Sequence, residues 1–359
     1  MPELLFELLT EEIPARMQMR AAEDLLRLAG EKLTAAGLEF QGVRSFVTPR
    51  RLTLVIDELP TTQPDTAEER RGPRVGAPEN AIQGFLKSTG LPSLEDCEQR
   101  DTGKGVFYFA VIRRAGRPAA DILPEILRSI LLEFPWPKSM RFPAASFRWV
   151  RPLTSVLCLF AGKVIPLDLG TIPVGDRTEG HRFLASGAIA VEDFADYLAK
   201  LRDAHVVLDG AERHALIASD LAKVAGGVQV TVKHDAALLD EVAGLVEWPV
   251  VLIGSIDPEF MVLPPEVLTT SMRTHQKYFA CLDREGNLAP RFLVVANNIA
   301  DDGGHAIVAG NERVLRARLS DARFFWDRIE KCHSPSGCRN SPTACFTLSL
   351  AACWRKRAR

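Results

Sequence analysis

LVEWPVVLIGSIDPEFMVLPPEVLTTSMRTHQKYF, Leu245 to Phe279, sets an apolar run, a proline-bounded turn and a helix side by side. Pro249 opens the run Val250 to Ile256, whose length and β-branched content predict a core strand. Asp257-Pro258 breaks it, and Pro264-Pro265 fixes φ for a helix starting at Glu266. That helix would gather Arg273, His275, Gln276 and Lys277 within about one turn. Such a group suits contacts to phosphates or base edges, with Tyr278 and Phe279 beside it for packing or stacking.

Working outward, Glu3 to Leu9 reads as a strand, Thr10 as the cap of a following helix, and Pro14 as part of its first turn. Ala22, Leu25, Leu26, Ala29, Leu33 and Ala36 form the apolar stripe of that helix, and Gly37 ends it. Phe46 to Leu59 predicts a long strand interrupted at Thr48-Pro49-Arg50-Arg51, where proline suggests an edge or bulge with both arginines outward. Residues 61–80 are polar and Pro/Gly-containing and read as an exposed linker. A strand at Gly105 to Arg113 should be buried on both faces. A helix follows at Ala119 to Phe134, then a hairpin over Gly162-Lys163. Helices near Val191 to Ala204, Gly210 to Ala225, Asp235 to Glu247 and Asn311 to Trp326 mix with strands at Val228 to Val232, Phe279 to Asp283 and Phe292 to Asn298. Without regular βαβ alternation this predicts α+β, with mixed or antiparallel sheets and more than one subdomain. The expected units are a strand-helix-strand piece at 1–60, an α+β body at 61–185, a more helical portion at 186–328 ending in a basic helix, and a tail at 329–359.

Hydrophobic residues at 47% and charged residues at 25% match a folded globular chain and exclude a mainly disordered one. No apolar run reaches the roughly 18 residues that span a bilayer, and no signal pattern opens the chain, so a cytoplasmic protein without membrane contact is expected. Net charge is −2, so a nucleic-acid partner would have to be gripped by local basic patches. Cys97, Cys158 and Cys281 are dispersed, whereas Cys332, Cys338, Cys345 and Cys353 crowd into the tail without C-x-x-C spacing, and no metal site is expected. The tail has one acidic residue, Glu330, and ends WRKRAR; its abrupt change of composition predicts disorder and a shifted reading frame near residues 327–331.

No phosphate-cradling glycine loop and no hydrolase or zinc-protease motif occurs, so no catalytic residue is assigned. Binding candidates fall in several places. Arg50 and Arg51 lie at the strand interruption. Lys138, Arg141, Arg148 and Arg151 interleave with Phe142, Phe147 and Trp149, a pattern of cations with stacking platforms or, equally, of a core with a charged rim. His181-Arg182 sits in a glycine-led loop. On the Asn311 to Trp326 helix, Leu315, Leu319, Ala322 and Trp326 share one side at 100° per residue, with Arg313, Arg316 and Arg323 towards the other. Those arginines offer bidentate donors to phosphates, or a solvated face paired with Glu312, Asp321 and Asp327.

The opening stretch resembles the beta subunit of the bacterial two-subunit glycyl-tRNA synthetase, whose signature includes LVEWP and S-M-x-x-H-Q-K-Y-F. Six further segments match in order: FELLTEEIPA (Phe6 to Ala15), TPRRL (Thr48 to Leu52), PKSMRF (Pro137 to Phe142), RPL (Arg151 to Leu153), TEGHRF (Thr178 to Phe183) and GNERVLRARLSDARFFWD (Gly310 to Asp327). The resemblance covers about residues 1–328. It implies tRNA(Gly) binding and positioning for glycylation on a separate alpha subunit, in a tetramer of two alpha and two beta chains. ATP and Mg2+ would be used by the holoenzyme, with no cofactor on this chain. It also implies continuation past residue 328 into HD-type and anticodon-binding domains that this sequence does not contain. A stand-alone RNA-binding module, or a metabolic enzyme using His275 and Lys277, are the alternatives to that reading.

Overall fold

The computed structural model describes residues 2–103, 105–145 and 147–333. Its first sheet is built around β1 (Leu4–Thr10), every residue of which is buried. β1 is followed by α1 (Ala15–Ala35) and the hairpin β2 (Gly42–Val47) and β3 (Arg51–Asp57). Next come β4 (Thr66–Arg74), α2 (Glu79–Thr89), β5 (Cys97–Asp101), β6 (Val106–Arg114) and α3 (Ala119–Glu133). β7 (Leu153–Phe160), β8 (Lys163–Val164) and β9 (Val174–Gly175) complete the first sheet, in the order β2-β3-β1-β7-β8 with β9 beside β7. Strand alternation then assigns the faces. Leu4, Phe6 and Leu8 of β1, with Leu52, Leu54 and Ile56 of β3, join the core under α1 and α3. Leu5 and Val55 face the other way, towards a smaller core around Tyr197.

Two short strands, β10 (Arg177–Glu179) and β11 (Ala188–Ala190), pair as a separate ribbon before α4 (Phe194–Asp203) and α5 (Gly210–Gly227). The second large unit contains β12 (Thr231–Val232), α6 (Ala236–Ala243), β13 (Val250–Ser255), α7 (Pro265–Thr270), β14 (Phe279–Leu282), β15 (Leu288–Ala296) and α8 (His305–His333). Its antiparallel sheet runs β12-β14-β15-β13, with α5 and α6 over one core and α7 and α8 over another. The architecture is α+β, as expected.

Several local expectations change. Thr10 does not cap α1: its hydroxyl donates to the Arg151 and Pro152 carbonyls at 3.2 and 3.0 Å, and the helix is entered at Pro14. The proline at 49 marks a hairpin turn rather than an edge bulge, because β3 lies between β2 and β1. The segment expected to be a linker is exposed, but Thr66–Arg74 pairs with β6 as a strand. β6 is half-buried rather than covered on both faces, with Arg71 lying 3.8 Å over the Phe107 ring and Arg100 5.3 Å over Phe109. β13 is an edge strand, half-buried for most of its length, where a core strand was expected. Gly254 is required in it, because a Cβ there would sit 2.4 Å from the Phe292 ring. The helix predicted from Glu266 becomes a π-helical segment at Ser271–Gln276, which stops at Lys277 with φ of 60°. The final helix extends at both ends, through His333, and the expectation for the tail lies from residue 334 onward outside the described residues.

Candidate functional site

Four of the quoted segments meet in one buried charged cluster. In the β1–β3 register Leu9 faces Arg51 and Glu7 faces Thr53, so alternation places Glu7, Arg51 and Thr53 on the face covered by α4. Glu7 accepts hydrogen bonds from the Thr178 hydroxyl at 2.6 Å and from the Tyr197 hydroxyl, which also lies 3.1 Å from the Thr53 hydroxyl. Arg51 sits 3.4 Å from Glu7, pairs with Glu247 and donates to the carbonyls of Glu179 and, at 3.2 Å, Gly180. The Thr48 hydroxyl donates to the same Glu247 oxygen at 2.7 Å. Asn297 Oδ1 then accepts the Glu247 and Trp248 amides at 2.8 and 3.0 Å, fixing the turn that presents the carboxylate. Beside it Arg213 is buried and donates to the carbonyls of Val47, Val207, Leu208 and Ala243 at 2.7–3.1 Å.

The electrostatics of this cluster are those of a closed lock. Burial drives the Glu7 carboxyl above its ordinary value, more than Arg51 and the two hydroxyls lower it. Burial also opposes the Glu247 charge, but Arg51 and Thr48 outweigh it and hold that carboxyl below its usual range. Burial depresses Arg51 too, yet Glu247 and Glu7 raise it overall. Tyr197 is pushed well above its ordinary value by burial and by Glu7, so it stays a proton donor. Arg51 thus joins the first sheet to the turn before β13, across an otherwise costly low-dielectric gap. It has no exposed surface, and the expectation that it faces outward does not hold.

His181 has a related anchoring geometry. It is buried, and its Nδ1 accepts the Phe183 and Leu184 amides at 3.3 Å each. Burial lowers its pKa, against the opposite pull of the Asn297 side chain and the Glu247 charge. Gly180 beside it has no room for a Cβ, which would lie 2.7 Å from Ala204. The loop therefore holds Arg182 and Phe183 outside, with Phe183 72% exposed.

The remaining candidates divide by what already neutralises them. Arg50 is buried and pairs with Glu179 at 3.4 Å. Arg182 pairs with Glu11 and, at 3.8 Å, with Glu12. Arg273 pairs with Asp235 at 2.6 Å and Lys277 with Glu241 at 2.9 Å. On α8, Arg316 pairs with Asp257 and Arg323 with Glu259 at 2.9 Å, while Arg313 is exposed. His275 is exposed. Lys138, Arg141, Arg148 and Arg151 differ from most of these: none pairs with a carboxylate among the described residues. A β-bridge between Met140 and Trp149 folds this segment back on itself. Phe147 and Trp149 point into a cluster with Trp136 and Phe134, ring centroids 4.7–6.1 Å apart, so these aromatics fill a core. Arg148, between them, is exposed and donates to the Ser139 hydroxyl and carbonyl at 3.1 and 2.8 Å. Lys138 and Arg141 are also exposed, and Arg151 is half-buried with its Nε donating to the Glu12 carbonyl at 3.3 Å.

Sequence reasoning missed Glu7, Tyr197, Arg213, Glu247 and Asn297 as parts of one cluster. Glu7 carried a signal, a lone charge in the apolar strand LLFELLT; Tyr197 and Asn297 carried none that separates them from ordinary helix and strand residues.

A profile of the family described as "Glycyl-tRNA synthetase beta subunit" matches residues 4–359. Curated glycine–tRNA ligase beta subunits are similar over nine-tenths of this chain. That of Rhodospirillum centenum is 54% identical, covering 91% of this chain and 49% of the relative. That of Phenylobacterium zucineum is 53% identical over 92% and 49%, and that of a Ruegeria species 52% identical over 91% and 48%. The chain spans about half the length of the curated relatives it matches.

Proposed function

This chain belongs to the glycyl-tRNA synthetase beta-subunit family, and from that premise we propose that it binds and positions tRNA(Gly) for glycylation on an alpha subunit. In this reading it works in the cytoplasm within a tetramer of two alpha and two beta chains. ATP and Mg2+ are used at the alpha subunit. The observation that carries the reading is the contrast between two sets of cations. The motif residues of β1, β3 and the Glu247 turn are spent on an internal lock, which suits a scaffold better than a reaction centre. The exposed Lys138, Arg141 and Arg148 keep their charge unneutralised by any described carboxylate, as contact to a polyanionic backbone requires. No helix among the described residues is long and apolar enough to cross a membrane.

Aminoacylation with glycine, ATP and tRNA tests the proposal. Charging is expected when an alpha subunit is added, and tRNA affinity of this chain should fall steeply with salt. Charging by this chain alone, or RNA affinity indifferent to salt, would overturn it.

A further inference from the structure

A cavity of about 200 Å³ opens where the loop before α6 meets α7 and the π-helical turn, outside every contact described above except the Arg273–Asp235 pair. Lys233 and His234 line it from one side, Thr269, Thr270, Arg273 and Thr274 from the other, with Tyr278, Phe279 and Ala280 of the adjoining β14 chain behind them. Lys233 is set there by its backbone, whose amide donates to the Ala280 carbonyl at 2.8 Å. Asp235 caps α6 by accepting the Leu238 amide at 3.0 Å and holds Arg273 Nε at 2.6 Å, so it is occupied on both sides. Asp235 takes up the Arg273 charge, and Lys233, exposed and paired with no carboxylate among the described residues, leaves the lining positive.

The backbone here is unusual in a way that serves the cavity. A π turn inserts one residue beyond α-helical spacing, and such turns concentrate at functional sites. In this one the Met272 carbonyl accepts the amides of both Lys277 and Tyr278, and Lys277 adopts the left-handed conformation that a non-glycine residue enters at a cost. The widened turn carries Arg273 and Thr274 on the cavity side, while Lys277 leaves to pair with Glu241.

Size selects the ligand class. Sites that enclose whole small molecules span about 300–1,000 Å³, and this cavity is smaller. It suits one charged group of a larger molecule whose remainder lies outside. Cations with neighbouring hydroxyls are the donor set for a phosphate oxyanion. We infer that this cavity receives a backbone phosphate of an RNA strand, held by Lys233 with the Thr270 and Thr274 hydroxyls, while Arg273 stays tied to Asp235 and the Thr269 hydroxyl to the Pro265 carbonyl. The inference rests on the tRNA-binding function proposed above and adds to it a site that includes Lys233 and His234.

The test is tRNA binding by the full chain over a salt series, for wild type, Lys233→Ala and Arg273→Gln, with circular dichroism as a check on folding. Both residues are exposed, so both variants should fold. Lys233→Ala should bind about five- to tenfold more weakly at 0.15 M salt and make the log K against log salt slope less negative by about 1, whereas Arg273→Gln, whose charge Asp235 already neutralises, should weaken binding less. If wild type binds tRNA and both variants match it in affinity and slope, the cavity is not a phosphate site, although the RNA-binding function stands. If wild type binds no tRNA, the RNA-binding function itself falls. Inorganic phosphate titrated against the His234 ring resonances then decides the cavity alone. A saturable shift lost in Lys233→Ala supports a phosphate-binding cavity, and no shift overturns it.

Discussion

Arg51 of the Thr48–Leu52 segment and Arg148 of the Pro137–Leu153 segment occupy opposite environments within one sheet unit. Arg51 has no exposed surface and binds two carboxylates and two carbonyls. Arg148, flanked by buried Phe147 and Trp149, is exposed and reaches only Ser139. Both adjoin residues that face the core, yet one side chain is buried and the other exposed. What differs is the far side of the strand. β3 is covered on both faces, so an alternate position there is still interior and needs a compensating charge. The bridge at Met140–Trp149 is covered on one face, so its alternate position meets solvent. The same residue type is therefore a structural tie in one region and an available cation in the other.

The largest expected effect strikes the tie. Arg51→Met leaves Glu7 and Glu247 buried without their cation and should cost about 3–5 kcal/mol, read from urea denaturation. A loss below about 1 kcal/mol would show that water reaches the cluster and would remove the contrast with Arg148.

The two carboxylates should separate by pH. Glu247 is held below its unfolded value, so its stabilisation is present above that value and disappears as pH falls through the lower folded one. Glu7 is raised, so its contribution is present at low pH and disappears as pH rises through its folded value. Glu247→Gln should cost about 1–3 kcal/mol at neutral pH and flatten the acid limb of the stability curve. Glu7→Gln should cost less and improve relative to wild type as pH rises through the raised Glu7 value. Matching pH profiles for the two variants would mean that Arg51 serves both carboxylates equally, against the shorter path to Glu247.

The exposed region breaks the comparison from the other direction. Lys138→Ala, Arg141→Ala and Arg148→Ala together should leave the denaturation midpoint nearly unchanged, because exposed substitutions usually act within about 0.5 kcal/mol. The same triple variant should weaken tRNA binding roughly ten- to a hundredfold at 0.15 M salt, and flatten the salt slope by about two to three. Unchanged affinity would confine these cations to solubility.

Much of the fold was legible because it follows from local pattern. The apolar stripe of α1, its stop at Gly37 with φ of 68° and the strand at Leu4–Thr10 depend on spacing and on a few special residues. Sheet order was not legible. Pro49 signals an interruption, but whether the strand after it is an edge or an interior one depends on β1 arriving from 40 residues away in sequence, and that decision alone reversed the expected exposure of Arg51. Likewise Val250–Ser255 has the composition of a core strand, yet among the described residues it pairs with β15 alone and ends the sheet. There the Ser255 amide is satisfied instead by Glu312 of α8, at 2.8 Å. The candidate site was legible as a set of segments, not as a place. Glu7, Thr48, Arg51, Thr178 and Glu247 all lie in quoted motifs, but only the tertiary structure gathers them.

The smallest effect belongs to α8, where sequence periodicity left open a solvated, carboxylate-paired face or a row of phosphate-binding arginines. Arg316 faces Asp257 across the start of the turn after β13, and Arg323 faces Glu259, so these guanidiniums already have carboxylate partners. The Asp257 hydrogen bonds and charge raise Arg316 above its ordinary value, and the reciprocal bonds lower Asp257. Both side chains are substantially in solvent, where screening leaves such pairs little to contribute. Arg316→Ala should therefore leave the denaturation midpoint nearly unchanged, with any shift shrinking further in high salt as screening grows. Its effect on tRNA affinity should be smaller than that of Arg148→Ala, because a phosphate would have to displace Asp257 first. If Arg316→Ala instead weakens tRNA binding as strongly as Arg148→Ala, the carboxylate partner does not withhold a cation from RNA, and the division between paired and available arginines fails on this helix.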